Sequence, residues 1–195
     1  EIRRGMLRFV SSENLLSSPE QLIHIFAGDA RLNLPLSPEA KRIVREFGYL
    51  MDASFRRSPL VVRVFERILA ASNALKVLGE MLDTGFLIRF IPEFDAVVNR
   101  IQYNAYHIYP VDRHLLQTVG VVNALAAAEL EEEPLGARLY GELLNPRPLL
   151  WAALLHDIGK GQADDRHSEK GARAVEAILT EKGLRGEDVA AASFL

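Results

Sequence analysis

Three side chains in this sequence have types and positions that can bind a divalent metal: His114, His156 and Asp157. The last two follow the apolar run of residues 149–155, which predicts a buried helix that ends in a loop open to solvent. Neighbouring helical residues point about 100° apart, so that His156 and Asp157 can flank a metal. The chain has no cysteine, so the ligands must be histidines and carboxylates. Such mixed ligation suits Mn²⁺, Fe, Zn²⁺ or Mg²⁺.

Helices are the elements that must position these side chains. Apolar residues recur at spacings of three and four nearly throughout, which predicts an all-α chain with no strand. Ser37-Pro38-Glu39 and Ser58-Pro59 each indicate a helix start, with a capping hydroxyl before a proline. A third helix is expected over residues 73–83, ending at Gly85.

The pattern changes in the middle of the chain. Ile91-Pro92 interrupts the helical spacing, and residues 102–110 are aromatic and polar. We therefore expect a smaller helical segment over residues 1–100 and a helical bundle over residues 101–195. The acidic run of residues 131–133 is interpreted as a solvated loop.

Three helices are predicted in the second part. Asp112 can cap the first, with His114 in its first turn. The second is the apolar helix that ends at His156, and it supplies His156 and Asp157. Ser168 is predicted to start the third, which Lys182-Gly183 closes. If the first helix packs against the second, His114 completes a set of three ligands. The alternatives are that His114 is an exposed histidine without a function, and that His156 lies at a helix C-terminus because the helix dipole favours a histidine there.

Composition excludes several classes of function. The net charge is −3, and no run of lysine or arginine exceeds two residues, which argues against a nucleic-acid-binding surface. The longest apolar run is far shorter than the roughly 20 residues that cross a bilayer, and the start lacks a signal-peptide pattern. We expect a cytoplasmic protein that binds neither nucleic acid nor membranes. Because the chain begins with Glu and stops in an apolar run, we also expect it to be a piece of a longer protein.

The run Leu154-Leu155-His156-Asp157-Ile158-Gly159-Lys160, with an upstream histidine and a downstream His167-Ser168-Glu169, resembles the HD superfamily of metal-dependent phosphohydrolases. That family is wholly helical and binds divalent metal through a histidine, a His-Asp pair and a distant aspartate. His114, His156 and Asp157 match the first three positions. The last has no match, since Asp188 lies too close after His167. The resemblance thus implies a metal site short of one ligand.

A narrower resemblance covers nearly the whole chain. Residues 91–94, 102–114 and 167–172 are similar to the lead-in and start of the HD domain in bifunctional PII uridylyltransferase/uridylyl-removing enzymes. This implies that residues 1–100 follow a nucleotidyltransferase domain absent from this sequence, which has no Gly-Ser dipeptide and no Asp-x-Asp motif. Residues 101–195 would be an HD domain truncated at its C-terminal side. Pro110 departs from the family pattern, which has a small polar residue there.

The resemblance implies a phosphodiesterase that removes uridylyl groups from tyrosine of a PII-type nitrogen regulatory protein. Lys160 would contact the phosphate, and His167 would act on the substrate side, as a general acid if one is used. Two alternatives stay open: an HD hydrolase of a nucleotide or cyclic nucleotide, and a non-catalytic regulatory or docking module with an incomplete metal site.

Ligand count generates a first prediction. This chain alone should bind divalent metal weakly or not at all and be inactive, whereas a version extended beyond Leu195 should bind metal well, because a further aspartate would complete the site. Metal content after dialysis of both versions measures this. Equal content would show that three protein ligands suffice, as they do in many catalytic zinc sites.

Overall fold

The computed structural model describes residues 1–101, 110–127, 134–161 and 167–195, apart from the side chains of residues 134, 167 and 168. These residues form two units, Glu1–Pro92 and Glu93–Leu195. The division lies N-terminal to the soft boundary that the sequence suggests near residue 100. Residues 102–109, which are most of the aromatic segment, and the acidic run of residues 131–133 lie outside the described part of the chain.

The first unit combines a short hairpin with a series of helices. Strands β1 (Ile2–Arg3) and β2 (Met6–Leu7) pair in antiparallel fashion, with Ile2 opposite Leu7. The helices, with one 3-10 helix at Phe47–Leu50, are α1 (Asn14–Ser17), α2 (Gln21–Leu32), α3 (Pro38–Glu46), α4 (Ala53–Arg57), α5 (Pro59–Leu69), α6 (Ala74–Asp83) and α7 (Phe86–Phe90).

The all-α fold class is confirmed, with the hairpin as a local exception. The expectation that no strand occurs is wrong at the N-terminus. Arg4 and Gly5 both have positive φ, at 52° and 73°, as in the two-residue turns that favour hairpins. Each strand has only two residues, so an alternating pattern could not show in the sequence.

The predicted starts of α3 and α5 are confirmed, but the two serines act differently. Ser37 is extended at the N-cap, and its Oγ accepts a hydrogen bond from the Ala40 amide at 3.1 Å. Ser58 also precedes a helix-starting proline, yet its side chain makes no capping hydrogen bond. Gly85 follows α6 with φ of 74°, as a left-handed helix end requires.

Phenylalanines form the centre of the first unit's core. The ring of Phe86 lies 5.1 Å from Phe26, 6.2 Å from Phe55 and 6.1 Å from Phe90, between ring centroids. Phe65 lies 4.8 Å from Phe90. These edge-on and tilted contacts join α2, α4, α5 and α7 into one apolar cluster.

The second unit is built around one buried helix. Its helices are α8 (Val111–Ala126), α9 (Pro134–Gly141), α10 (Arg147–Leu155), α11 (His167–Glu181) and α12 (Gly186–Phe194), with 3-10 helices at Pro92–Val97 and Ile158–Gly161. Helix α10 packs against α8 and α12, and α11 packs against α12 and the Ile158–Gly161 turn. As predicted, α10 is buried nearly all round. Among the described residues, no helix is long and apolar enough to cross a membrane.

Two predicted helix starts in this unit are corrected. Pro110, in extended conformation, precedes α8, so Asp112 lies in the first turn instead of capping the helix. Its carboxylate accepts hydrogen bonds from the amides of Asn99 and Arg113, at 3.1 and 2.8 Å. Helix α11 begins at His167, one residue before the predicted Ser168.

The contrast between the two capping serines generates a prediction for stability. Ser37→Ala should lower the free energy of unfolding by about 1 kcal/mol, because the Ala40 amide loses its partner. Ser58→Ala is the matched control and should change it by less than about 0.5 kcal/mol. Urea unfolding of the three proteins measures both. Equal losses would show that the hydroxyl of Ser37 does not carry the effect.

Candidate metal centre

Helix α8 presents His114 from its first turn. One face of the helix is buried through Leu115, Val119 and Val122, at the three- and four-residue spacing of a core-facing stripe. This stripe packs against α10. His114 lies beside it, half-buried, with its side chain 36% exposed.

The other two residues lie where α10 changes into a tighter turn. The His156 amide still donates to the Ala152 carbonyl at 2.8 Å, as in a helix. After Asp157 the chain enters the 3-10 turn Ile158–Gly161, in which the Lys160 amide donates to the Asp157 carbonyl at 3.0 Å. Both residues therefore lie between the end of the buried helix and the start of the 3-10 turn.

The three side chains converge on a common point. The Nε2 atoms of His114 and His156 are 3.1 Å apart. Asp157 Oδ2 is 3.6 Å from the first and 3.7 Å from the second. Ligand atoms bound at about 2.0–2.2 Å to one metal lie roughly 3.0–3.5 Å apart. The observed separations are close to these values, so a small adjustment would let one cation contact all three.

A hydrogen bond orients the ring of His156. Its Nδ1 lies 3.1 Å from the Ala153 carbonyl oxygen. Because a carbonyl only accepts, Nδ1 carries the proton in this contact, and the neutral ring then has its lone pair on Nε2. Nε2 is the atom that faces His114 and Asp157. This arrangement of a ligand histidine fixed through its second nitrogen is typical of metal sites.

Lys160 contacts Asp157 directly. Its Nζ donates to Oδ2 at 2.7 Å, and both side chains are largely buried, at 23% and 14% exposure. Thus the lysine, which the sequence suggests as a phosphate contact, neutralises the carboxylate oxygen that faces the two histidines. The ammonium thus lies next to the three-residue group.

The remaining sequence candidates fall outside this group. The backbone of His167 begins α11, but its side chain is outside the described residues. Asp188 is buried and binds Asn145 Nδ2 at 2.8 Å and Arg147 Nη1 at 3.3 Å, at the opposite end of α10 from His156. This agrees with the interpretation that Asp188 is not the missing ligand.

One contact of this region was not anticipated from the sequence. Arg100 Nη1 donates to the Gly161 carbonyl at 2.8 Å. Arg100 is not among the residues that the sequence suggests for the site. No short motif connects two residues 61 positions apart, so only the folded chain could reveal this contact.

The donor set fits a divalent metal. Within the described chain, His114, His156 and Asp157 form a group whose ligand atoms all lie within 4.8 Å of one another. Two imidazole nitrogens and one carboxylate oxygen suit Mn²⁺, Fe, Zn²⁺ or Mg²⁺ without selecting among them.

Comparison with known proteins relates the second unit to a family model and most of the chain to named proteins. Residues 111–193 match the family model of the HD domain. The chain is similar to proteins named bifunctional uridylyltransferase/uridylyl-removing enzyme. It is 35% identical to the protein of Nitrobacter winogradskyi, over 91% of this chain and 19% of the relative. It is 34% identical to the protein of Ruegeria pomeroyi, over 100% of this chain and 22% of the relative. It is 36% identical to the protein of Rhodopseudomonas palustris, over 91% of this chain and 19% of the relative. The chain spans about a fifth of the length of these relatives.

The geometry generates a prediction for metal titration. Adding Zn²⁺ should shift the ¹⁵N resonances of Nε2 in His114 and His156, because these atoms face each other and Asp157 Oδ2. His24, which is exposed in the first unit, is an internal control and should not respond at the same concentration. Selective shifts of Nδ1, or equal shifts of all three histidines, would contradict coordination through the Nε2 atoms.

Proposed function

The chain contains an HD domain and is homologous to a segment of the bifunctional uridylyltransferase/uridylyl-removing enzymes, and on that premise we propose that it supplies the divalent-metal site of a phosphodiesterase. His114, His156 and Asp157 would hold the metal. The observation that supports this most strongly is the convergence of their ligand atoms from two separate elements. The substrate would be the uridylyl-tyrosine of a PII-type nitrogen regulatory protein, by resemblance to the family.

A divalent metal bound there would lower the pKa of a water molecule and neutralise charge on the phosphoryl oxygens. The chain's own residues prepare this site. The Ala153 carbonyl accepts a hydrogen bond from Nδ1 of His156, which leaves the lone pair of Nε2 to bind a metal. Asp157 supplies the negative charge that a cation requires.

The chemistry places modest demands on other groups. The oxygen of water forms a bond with phosphorus, and the bond to the tyrosine oxygen breaks. A phenol with pKa of about 10 is a fair leaving group, so a strong general acid is not essential. His167 is the candidate if one is used. Lys160, at 2.7 Å from Asp157 Oδ2, is near enough to the three-residue group to contact a phosphate oxygen as a point charge.

A second candidate function is a docking module that keeps the fold without catalysis. The ion pair of Lys160 with Asp157 favours it, because a lysine at 2.7 Å from Asp157 Oδ2 would compete with a cation for that oxygen. Hydrolysis distinguishes the two proposals, since a docking module would bind a PII-type protein without releasing its uridylyl group. An HD hydrolase of free nucleotides would instead prefer a nucleotide or cyclic nucleotide over the modified protein.

Substitutions at Asp157 and Lys160 test the proposed reaction in a version of the protein that is active. Asp157→Asn should abolish hydrolysis of an aryl phosphodiester while the fold is kept, because the neutral amide weakens metal binding without leaving a cavity. Lys160→Ala should only slow it, because the lysine acts through the substrate. Rates across a Mn²⁺ titration separate the effects, since only Asp157→Asn should need more metal.

Asp95→Asn, at an exposed residue of the same unit, is the matched control and should behave like the wild type. Circular dichroism checks that each variant is folded. Wild-type activity of Asp157→Asn at low metal would refute the assignment of Asp157 as a ligand. Activity on the uridylylated PII-type protein, compared with cyclic nucleotides at equal concentration, tests the proposed substrate.

A further inference from the structure

The segment of residues 93–101, which we call the connecting segment, contacts both α8, which carries His114, and the turn that follows Asp157. Its residue Arg100 accepts a hydrogen bond through its carbonyl from the amide of Val111, the first residue of α8, at 2.9 Å. The guanidinium of the same residue donates to the Gly161 carbonyl at 2.8 Å. Arg100 therefore joins the start of the helix that carries His114 to the end of the turn that follows Asp157.

A second contact between the connecting segment and this turn depends on the small size of Gly161. A Cβ atom on Gly161 would lie 2.6 Å from the Cβ of Ala96 and 3.2 Å from its carbonyl oxygen. Real Cβ atoms essentially never approach so closely. Any larger residue would push the turn and the segment apart.

Asp112 anchors the connecting segment at its other side. Its carboxylate is buried, at 2% exposure of the residue, and accepts from the Asn99 amide at 3.1 Å. Asn99 has φ of 55°, a left-handed conformation that asparagine tolerates better than most residues. The residue before Arg100 is thus fixed to α8, two positions from His114.

We propose that Arg100 is a positioning residue of the candidate metal centre, which fixes Asp157 and the following turn with Lys160 relative to His114 on α8. The inference rests on the proposed function, because it assigns these side chains to a metal. The two histidines do not need this connection, since α8 and α10 pack directly against each other. The turn lies beyond the end of α10, where α11 and the connecting segment both contact it.

The effect should appear both with and without metal. In the metal-free full chain, Arg100→Ala should speed hydrogen exchange of the Lys160 amide about tenfold or more, because the turn loses its tether. The His156 amide, inside the helical hydrogen-bond pattern, is the reference and should change far less. Zn²⁺ affinity measured by calorimetry should fall about 10- to 100-fold, as expected when the support of a ligand is removed.

A pair of substitutions provides an independent test that leaves Arg100 unchanged. Gly161→Ala should also weaken Zn²⁺ binding, because its new methyl group meets Ala96. Adding Ala96→Gly removes the closest of the clashing atoms and should recover most of the loss. Arg173→Ala, at an exposed arginine on α11, is the control for loss of a positive charge and should bind Zn²⁺ like the wild type.

The outcomes separate this inference from the proposed function. If Zn²⁺ binds no better to the wild type than to His156→Ala, the proposed metal site fails, while faster exchange at Lys160 alone would still support the tether. If Arg100→Ala speeds exchange equally at Lys160 and His156, or leaves both unchanged, the positioning role is overturned. Failure of Ala96→Gly to improve Gly161→Ala would overturn the close contact as its cause.

Discussion

The packing of α8 against α10 is the interaction on which the candidate metal centre depends. Burial of each leucine of α10 contributes about 1.5–3 kcal/mol, and Leu150, Leu154 and Leu155 are all buried. This apolar surface has no alternative to the core, so the position of α10 is strongly determined. His156 follows its last residue, and His114 lies beside the buried stripe of α8. Core packing thus brings the two rings together, and their Nε2 atoms lie within hydrogen-bond distance of each other, at 3.1 Å.

The charges around Asp157 are the second feature of the candidate metal centre. Asp157 Oδ2 has Lys160 Nζ at 2.7 Å and the two histidine Nε2 atoms at 3.6 and 3.7 Å. A largely buried carboxylate is costly unless a cation balances it, and Lys160 provides that balance within the turn. A metal at the convergence point would share the same oxygen with the lysine.

The sequence predicted those features that depend on local pattern. The apolar run that becomes α10, the cap at Ser37 and the left-handed end at Gly85 each follow from a few neighbouring residues, and the structure confirms them. The hairpin was missed because each strand has only two residues. The predicted capping role of Asp112 was wrong, because its carboxylate accepts a hydrogen bond from the amide of Asn99, 13 positions away. Of the candidate site, the three converging residues could be named from the sequence, but the Lys160 ion pair and the Arg100 contact required the fold.

Two different constraints therefore set the two halves of the candidate site. Core packing fixes His114 and His156, and any change that keeps the volume of the core should preserve their approach. Lys160 lies in the 3-10 turn Ile158–Gly161, and Asp157 directly precedes that turn. Such a turn has few hydrogen bonds of its own and so adapts more easily than α10. The connecting segment contacts the turn at Gly161. Helix α11 also contacts the turn, and a Cβ atom on its Gly171 would lie 3.7 Å from Gly159. The carboxylate, more than the histidines, is then the ligand whose position depends on polar contacts outside the hydrophobic core.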